Sequence, residues 1–390
     1  MKRSHPLTQG SWLAWMSPWH GRGGIQTYSK QLFPAVKEEL ARHELSATLI
    51  RADTQEGKDR SAKDLLEELA LLRPKILHIQ HEYGHWRGKN PPLYSFPRFV
   101  RKARRLVPGI RILATGHTVL PEDYRFAIRG SAVSRAARAA ANAVGTPILR
   151  HWWNGFTWQP LDQVIVHSEL QVATLARTAP RARARCIPHF VPETLPMHAL
   201  TPDLEKLFAG EGPFLLVFGF ITPSKGQDLA IEALAEVQKS FPSARLILAG
   251  SPRTKTDGEY EQHCRALAAR LGVEGHVSFT GFIHQACLPG LYARASLVLA
   301  PFRETTGSGS LATALGYGAA LSASDLPLNR EIFDRMNEPF EGFSAQTIIH
   351  ILRSPEKQKR LQRFAQEYAS KYSPPKVAAL HLEAYRSCFN

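Results

Sequence analysis

Between residues 213 and 324, short runs rich in branched and aromatic side chains alternate with stretches whose apolar residues recur at helical spacing. This alternation constrains the fold more than any other property of the chain, because it is the pattern of a parallel sheet covered by helices. Residues 214–220, 245–250, 277–282 and 297–302 read as buried strands. Residues 228–239 read as a helix carrying Leu229, Ile231, Leu234 and Val237, with further helices at 259–271 and 288–295. The first half repeats the pattern less cleanly, with strand candidates at 12–17, 47–52, 75–81, 111–116 and 163–168 and a helix from Lys30. The expected fold class is α/β, two Rossmann-like doubly wound parallel-sheet domains facing a central cleft. Residues 1–195 form the first domain, 196–212 a Pro-rich linker and 213–372 the second domain, and a closing helix at 373–390 packs back on the first.

A chain of 390 residues, 44% of them hydrophobic, fills two such cores without staples. Cys186, Cys264, Cys287 and Cys388 lie far apart with no C-x-x-C pair. This speaks against a zinc module or disulfide framework and for a reducing, cytoplasmic compartment. The apolar stretch after Lys2 and Arg3 is cut by Ser17, Pro18 and His20, too soon for a signal-peptide core. No segment approaches the roughly 20 apolar residues of a spanning helix, so a soluble or peripheral protein is expected.

The formal charge of +15 is unevenly placed. Residues 1–200 hold 29 Lys and Arg against 15 Asp and Glu, whereas residues 201–390 hold 20 against 19. A basic first domain attracts anionic head groups or phosphate-bearing substrates, unless it is simply a solvated surface. The seven tryptophans, all between Trp12 and Trp158, serve interfacial contact or the core. Nucleic acid is not expected as a partner, since no helix-turn-helix, zinc module or RNA-binding motif is present.

In open parallel sheets ligands bind beyond the carboxyl ends of the strands, so the strand-to-helix loops are the informative places. In the first loop Gly21, Gly23 and Gly24 precede a helix whose N-terminus favours phosphate; a plain tight turn explains the same glycines. The loop from Gly219 to Gly226 contains Thr222 and Lys225, the latter placed to neutralise a diphosphate leaving group as a point charge. A third loop runs through Arg303, Glu304, Gly307, Ser308, Gly309 and Ser310 into an apolar helix, offering amides and hydroxyls to an anion or a cap to the helix. His117 ends strand 111–116, where a neutral imidazole suits a sugar hydroxyl or a phosphate as well as a structural role. Glu82 and Tyr83 follow strand 75–81, the carboxylate within reach of an acceptor hydroxyl. No Asp-x-Asp pair occurs, so neither a carboxylate-held metal nor another cofactor is expected.

Taken in order, Gly23-Gly24, His117, Val164 to Ser168, Ile187-Pro188-His189, Lys225-Gly226, Leu248-Ala249-Gly250, Phe279 to Phe282 and the glycines from Gly307 to Gly318 make the chain resemble glycosyltransferase family 4 over nearly its whole length. That family comprises retaining enzymes of the GT-B fold. The resemblance implies metal-independent transfer of a hexose from a nucleotide-diphosphate sugar to a glycan or lipid-linked acceptor, in cell-surface polysaccharide or glycolipid biosynthesis. Such an enzyme would lie peripherally on the inner face of a membrane, with an anionic lipid surface as a further partner. Carried over by resemblance, Gly23 and Gly24 meet donor phosphates or sugar, His117 the transferred sugar, and Lys225 the diphosphate. Gly307, Ser308, Gly309 and Ser310 receive phosphate and sugar oxygens. Gly219 and Thr222 join the donor set by position, and Arg22, Glu82 and Tyr83 face the acceptor.

The sequence departs from the family twice. Phe220 stands where an arginine is usual, and Arg303 or Arg22 is expected to supply the cation. Thr305 and Thr313 stand where a pair of glutamates is usual, and Glu304 is expected to replace the first, completing a catalytic set with His117 and Lys225. A second expectation stays open: a non-catalytic GT-B protein that binds nucleotide sugar or glycan.

Overall fold

The computed structural model describes residues 11–20, 23–86, 94–120, 139, 146–196, 200–304 and 309–390. The chain divides into two compact units, Met1–His189 with Pro374–Asn390, and Phe190–Ser373.

In the first unit, β1 (Leu13–Ser17), β2 (Ala47–Arg51), β3 (Ile76–His81), β4 (Arg111–Gly116), β5 (Gln163–Val166) and β6 (Ala184–Cys186) form one parallel sheet in the order β2-β1-β3-β4-β5-β6. β1 and β3 are buried along their whole length, as strands covered on both faces must be. The two faces of β3 differ in chemistry. Leu77 and Ile79 join an apolar core with Phe96, Phe99 and Trp158, whereas His78 and Gln80 share the opposite face.

That opposite face lies against α1 (Gly24–Ala41). Ser29 ties the helix to the sheet, its hydroxyl within 2.7 Å of Ser17 Oγ and accepting from Trp15 Nε1 at 3.3 Å. The helix starts at Gly24, six residues before the periodicity suggests, because Tyr28 and Ser29 are already buried against the sheet. Further helices of this unit among the described residues are α2 (Ala62–Leu72), α3 (Phe96–Leu106), α4 (Thr146–Trp158) and α5 (Glu169–Thr178). β6 has no counterpart in the sequence expectation, since Ala-Arg-Cys at a sheet edge presents no apolar run.

In the second unit, β7 (Phe214–Phe218), β8 (Arg245–Ala249), β9 (Val277–Gly281), β10 (Leu297–Ala300) and β11 (Leu321–Ala323) are parallel in the order β11-β10-β7-β8-β9. Its helices are α6 (Pro202–Lys206), α7 (Gln227–Val237), α8 (Lys255–Arg270), α9 (Leu288–Arg294), α10 (Gly309–Gly316), α11 (Pro327–Asp334), α12 (Ala345–Arg353) and α13 (Pro355–Lys371). The strands end one or two residues before the apolar runs do, because Gly219, Phe220, Gly250 and Phe302 leave the ladder to build loops. The last helix, α14 (Pro374–Ser387), belongs to the first unit.

Each sheet reverses its strand order once, between β1 and β3 in the first and between β7 and β10 in the second. The loops at those two points are where a doubly wound sheet opens a crevice for a ligand.

Candidate functional site

At the β7/β10 reversal, the loop after β7 runs from Gly219 into a single helical turn, Pro223–Lys225. The chain then passes Gly226 in the left-handed conformation (φ +66°) and enters α7. Lys225 Nζ sits over the Phe302 ring, 3.9 Å from its centroid. Burial pushes its pKa down to about 8, so the ammonium is still the majority form at neutral pH. Phe302 leads β10's exit, which places the lysine at the point of reversal. Gly219 (φ +130°) lies so near α10 that a Cβ there would stand 2.6 Å from Ser310 Oγ. The absent side chain lets the β7 loop touch the first turn of that helix.

Arg303 holds this turn from the β10 side. Its backbone N–H donates to the Ser224 carbonyl at 2.9 Å, and its Nη1 donates to the Pro223 carbonyl at 3.0 Å. The guanidinium also grips Asp228, at the start of α7, in a two-pronged pair with both contacts at 2.7 Å. Tyr260 Oη donates to the same carboxylate at 2.6 Å. Burial pushes the Asp228 carboxyl up, but the bonds from Arg303 and Tyr260 outweigh it and hold the group below its ordinary value. A different cation stands near the position of the missing arginine: the Arg253 guanidinium, from the loop after β8, lies 4.7 Å from the centroid of the exposed Phe220 ring. Thr222 pairs its hydroxyl with Ser224 at 3.0 Å. Glu304 is exposed. Arg22, Gly307 and Ser308 lie outside the described residues, while Gly309 and Ser310 open α10.

In the first unit, His117 follows β4 directly and its Nε2 lies 2.9 Å from Gln80 Oε1. Three rings surround it or one another: Tyr28 on α1, 4.8 Å from His117 between centroids; His167 beyond β5, 5.4 Å away; and His189, 5.1 Å from Tyr28. Burial first, then His167 and His189, hold the His117 pKa well below the ordinary range, so the ring is neutral. Beside it, Thr118 donates to Glu82 Oε2 at 2.8 Å. Tyr83 belongs to an aromatic cluster with His81, Tyr94 and Trp158.

Gly23 is extended and Gly24 begins α1, and a Cβ at Gly24 would meet nothing within 4 Å. The fold therefore does not need a glycine at Gly24. Gly24→Ala is expected to leave the melting temperature unchanged or slightly raised, alanine being the better helix former, and to weaken donor binding at least about tenfold by intruding on a ligand. Thermal melts and donor titration check this, and undiminished donor affinity would remove Gly24 from the site.

Asp228, Tyr260, Arg253, Gln80, His78 and Tyr28 are assigned no part by the sequence reading, and His167 and His189 enter it only as pieces of motifs. Asp228 and Arg303 are 75 residues apart, and no local pattern announces their pairing.

The family described as glycosyl transferases group 1 matches residues 203–368, which contain Lys225, Arg303 and Ser310. A GDP-mannose-dependent alpha-(1-6)-phosphatidylinositol monomannoside mannosyltransferase of Mycolicibacterium smegmatis is 33% identical over 317 residues, covering 76% of this chain and 73% of that enzyme. Among solved structures, sucrose-phosphate synthase from Thermosynechococcus elongatus aligns over 98% of this chain and 99% of its own with a TM-score of 0.66 at 16% identity. Anabaena HepE in complex with UDP and glucose aligns over 97% of this chain and 100% of its own, with a TM-score of 0.65 at 16% identity. Among the described residues no helix is long and apolar enough to cross a membrane. With two parallel Rossmann-like sheets of the GT-B fold, and a relative that matches most of its length, this chain belongs to the group 1 glycosyltransferases.

Proposed function

We propose that the protein transfers a hexose, with retention of anomeric configuration and without a metal, from a nucleoside-diphosphate sugar to a glycan or lipid-linked acceptor at the cytoplasmic face of a membrane. The observation that carries this reading is the ammonium of Lys225, half-buried over Phe302 at the β7/β10 reversal. A fixed cation in a partly dry site stabilises charge that develops on a departing diphosphate far better than a solvated one does. Arg253, over Phe220, supplies a second positive charge on the same edge of the sheet. Arg303 acts by holding the Lys225 turn in place. Ser310 and the amides at the start of α10 receive phosphate oxygens. On the first unit, Gly23 and Gly24 leave room for the donor, His117 meets the transferred sugar, and Glu82 and Tyr83 face the acceptor. With no carboxylate placed as a nucleophile among the described residues, the leaving phosphate assists a same-face displacement.

The reading is tested by thermal-shift titration with GDP, UDP, GDP-mannose and UDP-glucose, followed by a donor-hydrolysis assay on whichever sugar binds. GDP-mannose comes first because the mycolicibacterial relative is named for it. A ligand selective for the native state raises the melting temperature, so indifference to every nucleotide would overturn the assignment. Thr313 on α10, where a glutamate is usual, favours one second reading, a non-catalytic binder. Binding without hydrolysis or transfer would select it.

The membrane side of the reading rests on α3. Arg98, Arg101, Lys102 and Arg105 are exposed at helical spacing on one face of it, whereas Arg104 is engaged by Asp162 at 2.8 Å. Such a face gains about 1 kcal/mol per cation near an anionic bilayer. Binding to phosphatidylglycerol vesicles, lost as salt is raised, is expected, and equal binding to neutral vesicles would end this part of the reading.

A further inference from the structure

β3 carries a row of buried polar side chains on one face. His78, Gln80 and Thr115 are 0%, 2% and 0% exposed, and Tyr385 on α14 is 0% exposed. These groups form a continuous chain. Tyr385 Oη lies 2.6 Å from His78 Nδ1, and His78 Nε2 lies 2.8 Å from Thr115 Oγ1 and 3.3 Å from Gln80 Nε2. Gln80 Oε1 then lies 2.9 Å from His117 Nε2. Burying this many polar atoms is costly unless every bond is made with the right polarity.

The polarity follows from the Gln80 amide, whose two ends face different imidazoles. Its NH2 donates to His78 Nε2, which also accepts the Thr115 hydroxyl, so His78 carries its proton on Nδ1 and donates to Tyr385. Its carbonyl can only accept, so His117 must carry a proton on Nε2. A neutral imidazole protonated there has a lone pair on Nδ1, and this atom makes no hydrogen bond to another described residue.

We propose that Gln80 is a positioning residue that holds His117 in the Nε2–H tautomer, leaving Nδ1 to accept a hydroxyl proton of the transferred sugar and unable to donate to a phosphate. The inference rests on the reading that His117 meets the sugar, and it narrows the contact to a ligand group that brings its own O–H. The titratable rings facing His117 are Tyr28 from α1, His167 beyond β5, His189 beyond β6, and His78 and His81 from β3. Among the described residues no carboxylate acts on the His117 ring, and burial and the neighbouring imidazoles disfavour an imidazolium.

The test is nitrogen NMR of the full chain labelled with [15N]histidine, the His117 signals being identified by their loss in His117→Gln. The wild-type ring is expected to be neutral and protonated on Nε2 from about pH 5.5 to 8. Gln80→Leu should yield a mixture of tautomers. Gln80→Glu, which sets a carboxylate beside Nε2, should move protonation of the ring to higher pH. A wild-type Nδ1–H tautomer, an imidazolium at neutral pH, or an unchanged tautomer in Gln80→Leu would each overturn the proposal. A binding experiment separates this outcome from the fate of the enzyme reading. Gln80→Leu should lose about tenfold in affinity for GDP-mannose, the scale of one hydrogen bond to the transferred sugar, and nothing for GDP, which lacks the hexose. Equal losses would mean a merely structural glutamine. Failure of both ligands to bind the wild type would count against the proposed donor and leave the NMR result to decide the tautomer.

Discussion

Lys225→Ala is expected to lower turnover about 100- to 1000-fold, some 3 to 4 kcal/mol of transition-state stabilisation, while the protein stays folded. The ammonium lies over the Phe302 ring and the side chain is half-buried, so alanine removes a charge without opening a core. Its pKa gives the prediction a second arm. Burial lowers it from 10.5 to about 8, so binding of nucleoside diphosphate is full only well below pH 8 and declines as the pH rises through that value. Between pH 7 and 9 the affinity of the wild type should fall about tenfold, following the protonated fraction of a group with that pKa. In Lys225→Arg, whose charge does not titrate, affinity should be flat over the same range. The stability contribution runs the other way: between about 8 and 10.5 the unfolded chain binds the proton that the folded one has released, so folding gains as the pH rises. A pH series of titrations and melts distinguishes the two signs, and wild-type turnover in the alanine variant would discard the assignment.

The second large effect is on stability. Gly226→Ala forces a side chain into the left-handed region at φ +66° and drives the new Cβ into the Pro301 carbonyl oxygen, a backbone atom that cannot swing aside. The expected cost is about 3 kcal/mol, which for a unit of this size lowers the melting temperature by roughly 6–12 °C. Because Pro301 begins the segment that carries Phe302 and Arg303, relief of the clash would also displace the Lys225 turn. Calorimetry with and without nucleotide checks both parts, and a melting temperature within about 2 °C of the wild type would show that the turn has another way to relax.

The two cases show what the sequence makes legible. In the second unit β11, only three residues long, is not among the runs read as strands, whereas β7, β8, β9 and β10 coincide with apolar or branched runs and are visible. The ends are less so, because Gly219, Phe220 and Phe302 are as apolar as the strands they leave. Lys225 is legible for the same reason as its strand, being the cation between a strand end and a helix start. Arg303 is visible in the sequence as a cation in the right loop, but its pairing with Asp228 is not, since that depends on two loops meeting through the β7/β10 reversal. The polar row on β3 was hidden in the pattern Ile-Leu-His-Ile-Gln-His, which reads as a strand whatever the histidines and the glutamine do. Their role depends on Tyr385, 307 residues away from His78.

That distance has a consequence for how the protein is made. The ribosome delivers residues 1–189, then the whole of the second unit, and only afterwards the tyrosine that meets His78. Until α14 arrives, a buried imidazole lacks its phenol, and the Trp12 ring lacks the neighbours Tyr385 and Phe389. Residues 13–189 therefore cannot complete this buried row until the segment after the second unit has been made, so synthesis order and folding order are decoupled there.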